Sequence, residues 1–316
     1  LPIIIIASDF AEVTIVDQIT GTPAKVTSDS ALYVTSNGDT SFVKIADTAQ
    51  VIVMDTVRTY AIDYKLEIAA GRIPNTYCDK KFGRTTNADL NTKTDVWDGA
   101  NSTDNIDIWI APTQARIHAI TSTSTNDSVT GTGARTIQVY GLVDWDTKET
   151  SEVVNMDGIT GPNTVNSYVI VHRMKVLTKG TAGPNVGYVK ATAATDATVT
   201  AQFNPLEGQT KMAIYGIPST QTAYMTQFYY SILKSGGGTI AVDCDMLYNP
   251  EPQTEITTFL IKHTTAKLST GTSDGSPHPF NPYNKFTGPG ILKLQVISSQ
   301  NDMDVSAGFD LILEDN

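Results

Sequence analysis

The chain has 316 residues, a formal net charge of −11 and only 17% charged residues. Its 40% hydrophobic content supports a buried core and excludes a disordered chain. The acidic excess is spread along the whole length with no basic stripe, which argues against nucleic acid and against an anionic membrane surface as partners. No apolar run approaches the roughly 18 residues of a membrane-spanning helix.

The 45 threonines set the tone, because Thr is β-branched in strands and, with Ser, Asn and Gly, fills turns. The sequence opens at Leu1, with no initiator methionine, and runs into Ile3-Ile4-Ile5-Ile6-Ala7; without a basic flank or a cleavage pattern this is not a secretory signal. Residues 3–6, 12–16, 31–34, 41–45 and 50–54 read as short strands, so 1–68 is expected to be a small N-terminal β region. Residues 69–105 are polar, contain Gly71, Pro74, Gly83 and Gly99, and alternate little; they are expected to form an extended arm or linker.

From 106 to 316 period-two alternation recurs. Ile106, Ile108 and Ile110 share a face around Asp107 and Trp109. Ile170, His172, Met174 and Val176 oppose Arg173 and Lys175, and Tyr224, Thr226, Phe228, Tyr230 and Ile232 oppose Met225, Gln227 and Tyr229. Leu292, Leu294 and Val296 alternate with Lys293 and Gln295, and Val305, Ala307, Phe309, Leu311 and Leu313 form a last face. Such runs put one face on a core and the other outward. Turn chemistry separates them, as at Gly131-Thr132-Gly133, expected to be a hairpin turn, and at Ser235-Gly236-Gly237-Gly238. The fold class is all-β, a double-sheet sandwich, with a jelly roll the first choice for 106–316.

The chemical motifs are weak. Gly271-Thr272-Ser273-Asp274-Gly275 matches the GxSxG pattern of serine hydrolases, but Ser276-Pro277-His278-Pro279 forbids the helix that motif needs. His118, His172, His263 and His278 occur singly, without metal-ligand spacing, and Cys78 and Cys244 belong to no CxxC pair. Asp144 and Asp146, two apart on an expected strand, share a face beside Trp145. Paired carboxylates with tryptophan are the ingredients of a glycosidase, yet a solvated strand face explains them better. No catalytic residue, cofactor or metal ligand is assigned. Structural calcium, held by loop aspartates and carbonyls, is the one cofactor that the acidic Gly/Asn-rich loops accommodate. The stretch from Ser269 to Gly290 reads as a long loop in which Phe280, Tyr283 and Phe286 lie among prolines, and these three, with Trp97, are the candidate interaction residues.

Several phrases carry a resemblance: Gly71-Arg72-Ile73-Pro74, Lys81-Phe82-Gly83-Arg84, Asp95-Val96-Trp97-Asp98-Gly99, Gly131-Thr132-Gly133-Ala134-Arg135-Thr136, Gly141-Leu142, Met212-Ala213-Ile214-Tyr215 before Ile217-Pro218, and Val305-Ser306-Ala307-Gly308-Phe309. In that order, over roughly residues 70–316, the chain resembles a family of structural proteins encoded by tailed bacteriophages, many from aquatic environments. The resemblance implies a non-enzymatic virion component, in a head-decoration, neck or tail-appendage position, with no catalytic residues to carry over. It implies location in the virion and partners that are other virion proteins and copies of the chain itself, in a homo-oligomer such as a trimer. The alternative from another class is a carbohydrate-binding adhesin or glycan-active β-sandwich that takes a host glycan on exposed aromatic rings.

Overall fold

The computed structural model describes residues 4–7, 13–16, 64–233, 239–269 and 273–316, with the backbone alone for 4–7, 13–16, 267–269 and 273–276. The chain divides into two compact units, residues 1–63 and 64–316. In the first, β1 (Ile4–Ala7) pairs antiparallel with β2 (Val13–Val16), Ile4 opposite Val16. The expected strands at 31–34, 41–45 and 50–54 lie outside the described residues.

The second unit begins with α1 (Tyr64–Ala69), so the boundary falls five residues before the expected one. Gly71, at φ +69°, closes the helix in a left-handed turn that lets its N–H reach the Ile68 carbonyl. The strands follow: β3 (Thr76–Ala88), β4 (Lys93–Asp95), β5 (His118–Ser122), β6 (Ala134–Leu142), β7 (Thr150–Asn155), β8 (Ile170–Lys179), β9 (Val189–Ala193), β10 (Thr198–Phe203), β11 (Ile214–Ile217), β12 (Gln221–Leu233), β13 (Ile240–Asn249), β14 (Leu260–Ser269), β15 (Ser273–Thr287), β16 (Gly290–Ser298) and β17 (Met303–Asp315).

Two of its sheets form the larger sandwich, with orders β3-β17-β12-β15 and β11-β16-β13-β14. First and last strands lie side by side and, except for the paired β13 and β14, successive strands cross between the sheets, which is the jelly-roll order. Between them lies one core, with Phe228, Tyr230, Val242, Met246, Leu294, Val305 and Phe309 among its members.

The jelly roll is not contiguous in sequence. β4 lies opposite Gln295–Ile297 of β16, and β11 lies opposite Gly290–Lys293 of the same strand. Val96 N–H donates to the Leu294 carbonyl, and Leu294 N–H donates to the Ala213 carbonyl, so β4 and β11 are two halves of one strand position. Residues 96–213 leave and return at that break. They build a smaller sandwich from the sheets β10-β9-β5 and β7-β6-β8, with its own core containing Ile120, Ile137, Val139, Met174, Val189 and Phe203.

This placement corrects the reading of residues 69–105 as an extended arm or linker. β3 pairs with β17 along almost its whole length and β4 pairs with β16, so the segment supplies one edge strand and half of another. Little alternation is visible there because β3 is flanked by two different structures. Ala88 enters the jelly-roll core, whereas Lys81 and Thr85 turn toward the insert. The expected single sandwich over 106–316 is likewise two sandwiches, one nested in the other.

Three local differences have physical reasons. Ile106–Ile110 is not a strand: Trp109 is buried and Ile108 and Ile110 are exposed, because the Trp109 backbone N–H is held by Asp95 and its indole N–H by the Thr200 carbonyl. In β12 a bulge between Met225 and Gln227 switches faces, so Ala223 and Met225 share the core with Phe228, Tyr230 and Ile232 while Tyr224 turns outward. Residues 131–133 form a turn, but β5 and β6 on either side belong to different sheets and no hairpin results.

Candidate functional site: the joint and the lateral seam

The stretch expected to be a long loop from Ser269 to Gly290 is mostly β15, the edge strand of its sheet, paired with β12. An edge strand tolerates proline because one row of its backbone groups has no partner. Pro277 and Pro279 are two residues apart, so both nitrogens point to the same side of the strand. The GxSxG match also falls here; its Ser273 opens a strand, not the strand-to-helix turn that the motif requires.

The four candidate interaction residues separate. Trp97 is fully buried, its indole N–H bonded to the Ile106 carbonyl. Phe286 is in the jelly-roll core beside Tyr248, ring centroids 5.1 Å apart. Phe280 is partly buried and packs on that core with Phe228, His263 and His278. Tyr283 is exposed, with the Lys65 ammonium 5.4 Å from its ring centre. Only Tyr283 presents a largely open ring, because the core took the larger share of the aromatic surface.

Asp144 and Asp146 stand in the loop after β6 and not on a strand. The Asp144 carboxylate accepts from the N–H groups of Asp146 and Thr147, and Asp146 accepts from the Ser219 hydroxyl. These are turn-closing roles. Among the described residues no three His, Cys, Asp or Glu side chains come together to hold a metal, and no helix is long and apolar enough to cross a membrane. Cys78 and Cys244 are free thiols, one exposed and one buried.

Most of the buried charged groups gather at the joint where the insert leaves the jelly roll; Asp127 and His118 lie within the insert. Asp95, with no solvent exposure, accepts from Lys293 at 2.6 Å, from Gln295 at 2.8 Å and from the backbone N–H of Trp109 at 2.8 Å. Burial raises its pKa against the pull of Lys293. Asp98 accepts from the Lys211 N–H and the Asn204 amide. Burial and then the nearby Glu207 carboxylate push its pKa well above the usual carboxylate range.

Across the joint, the Lys81 ammonium donates to the His172 carbonyl. His172 pairs through Nε2 with Glu149 at 2.5 Å and stacks on Tyr215, ring centroids 4.7 Å apart. Burial is the main cause that lowers the Lys81 pKa, to about 7, and Arg173 lowers it further. Gly83 sits where an added Cβ would overlap the Val96 carbonyl oxygen, so strand β3 touches the backbone of the break directly. Sequence alternation placed Lys293 and Gln295 on an outward face; both are buried because the insert covers that face.

The second feature is the lateral seam of the jelly roll, where β14 and β15 end their respective sheets. His263 and His278 face each other there with ring centroids 4.7 Å apart, against Phe228 and Phe280. Burial and then His278 lower the pKa of His263. Beside β15, Tyr248, Lys262, Asn284, Lys285 and Phe286 line a cleft of about 380 Å³. The sequence held no signal for Lys262 or Lys285, because their strands meet only through the sandwich.

No known protein family matches the sequence, and no curated protein matches it. Among solved structures, the chain is similar to the structure of the infectious bursal disease virus Gt strain, at 11% identity and a TM-score of 0.22 over 76% of this chain and 74% of that one. It is also similar to the VP2 subviral particle of infectious bursal disease virus, at 12% identity and a TM-score of 0.20 over 76% and 72%. At those scores neither likeness carries an argument about function.

Proposed function

We propose that this protein is a non-enzymatic structural component of a bacteriophage virion, assembling with copies of itself and docking on other virion proteins. One observation carries the reading: the phrases behind the resemblance to phage structural proteins fall largely on the joint and its flanking strands. Lys81 and Gly83 face the insert, and Arg84 pairs with Asp304 at 2.5 Å. Asp95, Val96, Trp97 and Asp98 enter the break, and Met212, Ala213, Ile214 and Tyr215 leave it. Val305 to Phe309 run beside β3. Most of the residues that resemble the phage proteins therefore lie where the two nested sandwiches are locked together. The resemblance transfers an architecture and no reacting groups.

Assembly through the sheet edges is the physical route, since β14 and β15 each end a sheet with backbone groups that another strand can pair. Light scattering on a sizing column tests the reading, with and without chelator. The expected native mass is a defined multiple of 34.0 kDa, such as a trimer. Loss of that mass on chelation assigns structural calcium a part in assembly. A monomer that also fails to attach to purified phage particles refutes the proposal.

A further inference from the structure

The cleft beside β15 has a composition that the joint and the cores do not explain. Its floor is aromatic: Tyr248 and Phe286 are nearly buried, and the Tyr248 hydroxyl is fixed by donation to the Thr287 carbonyl at 2.6 Å. Its rim is cationic and polar, with Lys262 and Lys285 exposed and Asn284 half-buried. The Lys262 ammonium lies 5.8 Å from the Tyr248 ring centre, over the floor.

Neither rim lysine has an ion-pair partner among the described residues, in a chain with 33 acidic against 22 basic residues. The contrast with other lysines is direct. Lys148 is paired with Asp315, Lys190 with Asp104, Lys211 with Glu207 and Lys293 with Asp95. Two unpaired ammonium groups from different sheets therefore converge on one concavity, which makes it a local positive site on an acidic protein.

We infer that this cleft binds an acidic sugar, a pyranose carrying a carboxylate. The carboxylate is matched by Lys262 and Lys285 on the rim, and the Asn284 amide offers a donor and an acceptor for ring hydroxyls, while the nearly buried Tyr248 and Phe286 close the floor beneath them. A volume of about 380 Å³ sits at the small end of ligand pockets, which span ~300–1,000 Å³, and so suits one or two sugar rings. An inorganic anion would use the lysines alone and leave the Asn284 amide idle.

The inference does not depend on the virion reading, and its failure leaves the assembly experiment untouched. The test is titration of the full chain with glucuronic acid and N-acetylneuraminic acid, followed by saturation-transfer NMR and calorimetry. Glucose and inorganic phosphate serve as controls, beside the double variant Lys262→Gln/Lys285→Gln. Both lysines are exposed and unpaired, so the variant keeps its fold, which thermal unfolding verifies. At least one acidic sugar should bind with a Kd of about 1 mM. Glucose should bind about tenfold more weakly, the double variant should lose about tenfold, and added salt should weaken binding further. No saturable binding of either acidic sugar overturns the inference. So does an unchanged affinity in the double variant. Phosphate binding as tightly as the sugars overturns the saccharide assignment, because it shows an anion site only.

Discussion

Replacing Lys81 by methionine isolates the charge that the joint buries. Lys81 is 3% exposed, and burial and Arg173 lower its pKa from 10.5 to about 7. Between those two values the unfolded chain holds a proton on this lysine that the folded chain does not, so folding stability rises with pH from about 7 to 10.5. Below pH 7 the folded protein carries the full penalty. Across the whole window the effect is worth about 5 kcal/mol, at about 1.4 kcal/mol for each pH unit. The Lys81→Met variant has no such dependence. It also leaves the His172 carbonyl without its donor, a pH-independent loss of about 1–3 kcal/mol. Urea unfolding at a series of pH values from about 6 to 11, chosen to bracket the window, measures both proteins by fluorescence of the three buried tryptophans. The variant should gain relative to wild type as pH falls, by up to about 1.4 kcal/mol per pH unit. Parallel stability curves would show that Lys81 titrates as an exposed lysine does, and the account of a dry joint would fail.

Other outcomes follow from the same physics. Lys293→Met leaves the Asp95 carboxylate buried without its counter-charge and should cost about 3–5 kcal/mol in urea unfolding, whereas adding Asp95→Asn should recover most of that loss. His118 donates from Nδ1 to the Arg116 carbonyl and keeps a buried Nε2 without a partner, and burial lowers its pKa to about 4. The unfolded chain therefore takes up a proton first, and stability should fall by about 3 kcal/mol between pH 6.5 and 4 from this group, a limb that His118→Phe flattens in acid unfolding. Gly83→Ala forces a Cβ onto the Val96 carbonyl oxygen and should cost at least ~1–3 kcal/mol by thermal unfolding, since backbone on both sides has little room to yield.

Much of the architecture is written in the alternation. A strand with a period of two and one buried face is a local property, so the all-β class and a sandwich could be read from runs such as Val305 to Leu313, whose apolar face enters the core residue for residue. Composition likewise indicated an acidic chain with no basic stripe. A bulge is invisible to that reading, because the extra residue at Thr226 shifts the faces of β12 without changing its polarity pattern.

What the tertiary structure decided is where the second faces go. Lys293 and Gln295 look solvent-facing in sequence and Lys81 falls in a stretch that reads as an arm, and only the insert's return to β16 buries them beside Asp95 and His172. The Pro-rich stretch looks like a loop because proline lacks a ladder donor, but its place at a sheet edge makes that lack harmless. Lys262 and Lys285 come from strands in opposite sheets, so the cleft they share exists only once the sandwich closes. Local periodicity fixes which residues can face a core, and long-range packing alone determines which neighbours they meet.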